Sequence, residues 1–168
     1  DASFRIEPFV RVIKIKCPDL AAESRILCIG ARNEGELNVF ARNGFKAVTA
    51  IDLWSSSQRI RVMDMHALRF PDASFDLIFA SHVFEHAYDF GLVARECVRV
   101  LKPGGHIFCA FPTDFELSDH DRVDFKTTDG LLRYFKDCDV RVLHEQRNLN
   151  ELSVLVSVRR EHEGKARG

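Results

Sequence analysis

Four short apolar runs each end on a glycine or a polar residue, and the residues at those ends have the chemistry of a nucleoside site. Gly30 follows Ile26-Leu27-Cys28-Ile29, and Asp52 follows Val48-Thr49-Ala50-Ile51. Asp64-Met65 follows Ile60-Arg61-Val62-Met63, and Ser81-His82 follows the run 75–80. A glycine at a strand end lets backbone approach a ligand, and the next helix N-terminus offers free N–H groups. A carboxylate at the end of a second strand can accept hydrogen bonds from both hydroxyls of a ribose. A thioether such as Met65 packs well on an aromatic face. His82 and His86 stand four apart, so a helix would bring both to one face. That spacing also suits a metal pair, but no third ligand is evident, and no metal is expected. Imidazole is suited to taking a proton from a hydroxyl near neutral pH. The same residues could instead fix the loop.

These residues need strands that end together. Runs 25–30, 46–51, 59–63, 75–80 and 105–111 read as strands, alternating with helical patterns at 34–43 and 89–101. Residues 34–43 place Leu37, Phe40 and Ala41 on one face and stop at Asn43-Gly44. Residues 89–101 carry Leu92, Val93, Cys97, Val98, Val100 and Leu101 and stop at Lys102-Pro103-Gly104. Residues 127–135 read as a helix capped by Thr127 or Thr128. Segments 139–144 and 152–159 alternate with period two, as an antiparallel pair at a sheet edge does. The expected fold is an α/β, Rossmann-like three-layer sandwich: a mainly parallel seven-stranded sheet with an antiparallel C-terminal edge pair. Only eleven residues separate Asp52 from Asp64, so no full helix fits between their strands.

Composition sets the outer bounds. The 168 residues suit one domain, with 1–23 as an N-terminal segment, helical and covering the sheet, and 161–168 as a charged tail. A net charge of −1 gives no reason to expect nucleic acid. No apolar stretch approaches the roughly 20 residues that cross a bilayer, and DASFRIEPFV lacks a signal-peptide pattern. The chain opens on Asp1, as a trimmed chain or a piece of a longer one would. Five scattered cysteines without a CxxC pair point to reduced thiols and a cytoplasmic location. The run Asp119 to Asp124 reads as an exposed polar loop, and Phe111 to Asp114 as a substrate wall.

The order and content of these segments over about residues 24–112 resemble the small, single-domain class I S-adenosylmethionine-dependent methyltransferases. That resemblance implies S-adenosylmethionine as cofactor and assigns roles: Gly30, Ala31 and Arg32 to its methionine end, Asp52 with Leu53 to the ribose, and Asp64 with Met65 to adenine. Ser81 and His82 would lie near the reactive methyl, with His82 and His86 as candidates for a base. The family's loop reads acidic-x-Gly-x-Gly-x-Gly. Here Cys28 takes the acidic place, Gly30 matches, and Arg32 and Glu34 replace the later glycines, with Gly35 one residue out of step. Trp54 would cover the ribose or adenine, or stand exposed. The implied activity is methyl transfer to a small-molecule or glycan-like acceptor, in a site left open or completed by a homodimer or a missing partner domain. Two alternatives remain. A degenerate, methyltransferase-like interaction module would explain the altered loop. A nicotinamide enzyme would need GxGxxG where GARNEG has only its first and last glycines.

Overall fold

The computed structural model describes residues 2–114, 123 and 125–161. Most of the polar run 119–124 and of the tail 161–168 lies outside them.

Eleven elements follow in chain order: α1 (Ala2–Lys16), β1 (Arg25–Ile29), α2 (Gly35–Arg42), β2 (Ala47–Asp52), β3 (Ile60–Val62), β4 (Phe75–Ser81), α3 (Phe90–Val100), β5 (Leu101–Pro112), α4 (Thr128–Leu132), β6 (Cys138–Arg147) and β7 (Glu151–Arg160). They form one seven-stranded sheet in the order β3-β2-β1-β4-β5-β7-β6. Strands β1 to β5 pair in parallel, and β7 runs antiparallel to both β5 and β6. This is the expected three-layer sandwich.

Alternation along the buried strands builds two cores. Ile26, Cys28, Leu77, Phe79 and Phe108 face α1 and α2, meeting Ile6, Val10, Ile13, Leu37 and Phe40. Leu27, Ile29, Ile78, Ile107 and Cys109 face the other way, onto Phe90, Val93 and Cys97 of α3 and Leu131 of α4. The continuous apolar runs of the sequence are what strands covered on both faces require. α1 forms despite Pro8, which lies inside it.

Three local expectations change. The Lys102-Pro103-Gly104-Gly105 turn lies inside β5, where the register slips between the Phe75–Leu101 and Leu77–His106 pairs. Gly104 takes a φ of +73° in that bulge. α4 ends at Leu132, earlier than the pattern suggests, with the Thr127 hydroxyl accepting from the Gly130 N–H. His82 to His86 is not one helix: Ser81 ends β4, His82 has φ +54°, and only Phe84–His86 makes a 3₁₀ turn. The four-residue spacing therefore places no common helical face. Between β2 and β3, residues 53–59 form no helix, as their number requires.

Candidate active site

The strand order reverses between β1 and β4, and their carboxyl ends open a crevice there. In open α/β sheets this is where ligands bind. A cleft of about 380 Å³ occupies it. Gly30, Arg32, Asp52, Leu53, Asp64, Met65, His82 and His86 all line it. Ala31 and Ser81 do not; Ala31 is buried, and its N–H donates to the Ile51 carbonyl.

Backbone geometry explains the altered loop. Gly30 has φ +73°, and a Cβ there would stand 2.5 Å from a Val83 methyl carbon. Glycine is required twice, for conformation and for space. Arg32 has φ +44°, so it makes a left-handed turn that glycine would make freely, at a cost of about 1 kcal/mol. Gly35 instead opens α2 with its φ not positive, so it does not stand in for a loop glycine. Glu34 reaches across to the short β2–β3 connection. It accepts from the Ser57 hydroxyl and from Arg59 Nη1, the latter at 2.6 Å. Those two hydrogen bonds, from Ser57 first and Arg59 second, hold its carboxyl below the usual range. Glu34 thus pins the rim formed by the short, helix-free β2–β3 connection.

The acid missing at Cys28 reappears beside it. Glu36, on the first turn of α2, is 7% exposed, hydrogen-bonds the Cys28 thiol and leaves Oε2 without a partner. Burial pushes its carboxyl up to about 8, with the nearby Asp52 charge adding and the Cys28 bond opposing. A glutamate inside a helix gives no sequence sign of this role.

The two strand-end acids are held by backbone donors. Asp52 accepts from the Arg32 N–H through Oδ2 at 3.0 Å and from the Trp54 N–H through Oδ1 at 3.2 Å. A carboxylate has about four acceptor sites, so both oxygens keep capacity for a ligand. Trp54 itself is 71% exposed and does not line the cleft. Asp64 Oδ1 accepts from the His66 N–H at 2.8 Å and lies 2.7 Å from His66 Nδ1. Among the described residues no donor occupies its Oδ2. Burial opposes ionisation of Asp64, but the two His66 bonds outweigh it and lower the carboxyl. His66 stacks on Tyr88 with ring centroids 3.6 Å apart, and both line the cleft. Sequence reasoning missed this pair; only the proximity of His66 to Asp64 hinted at it.

On the opposite side, His82 is held by side chains distant in sequence. Its Nε2 lies 2.6 Å from Glu151 Oε2, and Arg5 Nη2 is 3.3 Å from the same nitrogen and 3.8 Å from that oxygen. The His82 bond lowers the Glu151 carboxyl, burial opposes, and the His82 and Arg5 charges reinforce. A carboxylate this close requires a hydrogen on Nε2, so in the neutral ring Nδ1 carries the lone pair. His86 is more exposed, with Nε2 3.7 Å from Glu85 Oε1. Among the described residues, no three His, Cys, Asp or Glu side chains gather as metal ligands would. No helix among them is long and apolar enough to cross a membrane.

Residues 27–109 match the model of the family described as the methyltransferase domain. The 2-methyl-6-phytyl-1,4-hydroquinone methyltransferase of Synechocystis is 31% identical over 109 residues, covering 62% of this chain and 33% of that protein. The ubiquinone biosynthesis O-methyltransferase of Paracidovorax citrulli is 32% identical over 102 residues, covering 50% and 42%. The chain spans between 19% and 42% of the length of the curated relatives it matches. Among solved structures, a Burkholderia thailandensis 1,6-didemethyltoxoflavin-N1-methyltransferase, bound to 1,6-didemethyltoxoflavin and S-adenosylhomocysteine, superimposes with a TM-score of 0.69. It shares 17% identity over 89% of this chain and 77% of its own. By its segments, its sheet order and these matches, the chain belongs to the class I S-adenosylmethionine-dependent methyltransferase family.

Proposed function

We propose that the chain transfers a methyl group from S-adenosylmethionine to a hydroxyl of a small-molecule acceptor, with His82 as the base. The observation that carries this is the His82–Glu151 contact at 2.6 Å on the border of a cleft that also holds Gly30, Asp52 and Asp64.

The cleft fits the donor. Asp52 has spare acceptor capacity for the ribose hydroxyls, and Asp64 Oδ2 has it for the adenine amino group, with Met65 against the ring. Gly30 lets backbone approach the methionine end, with Ala31 buried behind it. The Arg32 guanidinium, which meets no carboxylate among the described residues, suits the methionine carboxylate. When bound, S-adenosylmethionine supplies a methyl on a positively charged sulfur, which departs as a neutral thioether. Much of the rate comes from alignment, so few side chains are needed. A neutral hydroxyl is a poor nucleophile and must lose its proton as its oxygen bonds to carbon. Glu151 holds Nε2–H and leaves Nδ1 to take that proton, while Arg5 steadies Glu151. His82, with Glu151 2.6 Å from its Nε2, serves as the base rather than the more exposed His86.

The relatives named above act on small molecules, which favours that class over a glycan. The altered loop does not favour the degenerate reading, because Arg32 keeps the turn and Glu34 holds the rim. Five free cysteines suit a reducing compartment such as the cytoplasm. The test is incubation with methyl-labelled S-adenosylmethionine and a small-molecule extract. Label should enter an extractable product with the wild type and not with His82→Ala, although both bind S-adenosylhomocysteine. Equal labelling by the two would remove His82 from the reaction.

A further inference from the structure

A larger cavity, of about 560 Å³, lies along the flank of α3 and shares no lining residue with the donor cleft. Its walls come from α3, from the segment 133–138 that leads from α4 into β6, and from Arg160 at the end of β7. Cys138, where β6 starts, pairs with Arg160, and β7 runs antiparallel to β5. This end of the cavity therefore lies toward the amino ends of the parallel strands, whereas the donor cleft is at their carboxyl ends. We propose that the cavity is a separate binding site for an amphipathic phosphate ester, a compact aromatic body carrying a phosphate head. Such a ligand is neither methyl donor nor methyl acceptor.

The charges argue for the phosphate head. Four cationic side chains, Arg95, Arg133, Lys136 and Arg160, line the cavity with one carboxylate, Asp137. Glu161 follows Arg160 and donates its N–H to the Asp137 carbonyl at 3.3 Å, which brings a second carboxylate nearby. Four positive charges against two negative leave an excess of two. A phosphate monoester carries about −1.5 to −2 near neutral pH and matches that excess. Arg95, Arg133 and Lys136 meet no carboxylate among the described residues. Arg160 donates from Nη2 to the Val98 carbonyl at 3.2 Å, so backbone steadies it at the cavity's edge. Guanidinium forks around one hollow suit the oxygens of a phosphate, and a cationic ligand would be repelled.

The floor argues for an aromatic body. Ala94 and Phe135 are 1% and 6% exposed, with Val98 and Cys138 half-buried beside them. Tyr134 adds a partly exposed aromatic wall, fixed edge-on against Phe90 with ring centroids 5.0 Å apart. A flat ring gains from contact with such a wall. Small-ligand pockets run from about 300 to 1,000 Å³ and combine apolar walls with a few placed polar groups, as here. The four cations are exposed and the floor is buried beneath them. A bilayer surface would reach the charges and not Ala94 or Phe135, which favours a small molecule that enters the hollow.

The test titrates 1-naphthyl phosphate into the purified chain, read by calorimetry. The probe should bind, and S-adenosylhomocysteine should not displace it. Inorganic phosphate and 1-naphthol, which each lack one half of the probe, should not displace it at about tenfold excess. Arg95→Glu and Arg133→Glu change exposed side chains on separate elements, and thermal melts check that both fold. Each should weaken the probe at least about tenfold. Lys46→Glu, the same charge change at an exposed position outside the cavity, should leave it unaltered. Equal binding by the wild type and a folded Arg95→Glu or Arg133→Glu chain, an equal loss in Lys46→Glu, or displacement by S-adenosylhomocysteine would overturn the site. Displacement by equimolar inorganic phosphate would overturn the aromatic body, and displacement by equimolar 1-naphthol would overturn the phosphate head. No binding of the probe at millimolar concentration would overturn the proposal. Vesicles of phosphatidylserine and phosphatidylcholine bound through Arg95 and Arg133, by a chain that does not bind the probe, would replace the small ligand with a membrane surface.

Discussion

The two halves of the site are organised by different means. On the β1–β2–β3 side, Asp52 and Asp64 are oriented by backbone N–H groups of Arg32, Trp54 and His66, all close along the chain. On the β4–β7 side, His82 is oriented by Glu151, which Arg5 in turn holds, side chains 69 and 77 positions away from it. A half built from strand ends and turns holds its shape with the fold itself. A half built from long side chains of separate elements depends on each partner and tolerates change in what it recognises. On the proposed reading the first half takes the donor and the second the acceptor, so the division of construction would follow a division of labour.

The sharpest way to break the comparison is to damage one half and measure the other. His82→Ala should lower kcat by about 10²–10⁴-fold, the usual worth of a general base, while S-adenosylhomocysteine affinity measured by calorimetry stays put. A parallel loss of affinity would mean that the halves are not separable.

Glu36 sharpens the donor side through pH. Its carboxyl, pushed to about 8 by burial, holds more protons folded than unfolded between about pH 4.5 and 8. Stability must therefore fall as pH rises across that window, by an amount on the order of a few kcal/mol. Thermal melts of the wild type should drop from pH 5 to pH 8.5 more steeply than those of Glu36→Gln, which should be the more stable protein at the upper end. Parallel melting curves would show that Glu36 ionises normally.

Glu151→Gln is a milder test of the acceptor half. The amide keeps a hydrogen-bond acceptor for Nε2–H and loses the charge that steadies a protonated ring. The rate should fall about tenfold, with little change in KM. A structural role alone would lower thermal stability along with the rate. Glu34→Ala should have the smallest effect: release of Ser57 and Arg59 loosens the rim and weakens donor binding roughly threefold, read by calorimetry.

What the sequence made legible follows the same line. Strand-end residues declare themselves because a buried parallel strand is a continuous apolar run, and the first residue after it is at the sheet's carboxyl edge. Gly30, Asp52 and Asp64 could be placed that way, and the short 53–59 connection could be seen to exclude a helix. Arg32 hid its role because φ is not written in residue type, and Arg is an unusual choice for a left-handed turn. His82 and His86 were read on a helical period that the chain breaks at His82. Glu151, Arg5 and Glu36 were invisible: each depends on which elements pack together, and one chain carries no record of such pairs. Glu34 looked like damage to a motif and is instead the pin for a shortened rim.

The central claim is that the β1–β3 side forms a working donor site despite its altered loop. Calorimetric titration of S-adenosylmethionine and S-adenosylhomocysteine into the wild type and Asp52→Ala tests it directly. Asp52 would hold two ribose hydroxyls through charged hydrogen bonds of about 1.5–3 kcal/mol each. The account predicts binding in the micromolar range by the wild type, weakened at least about a hundredfold in Asp52→Ala. No binding at millimolar ligand by a folded wild-type chain, or equal binding by the two proteins, would contradict it.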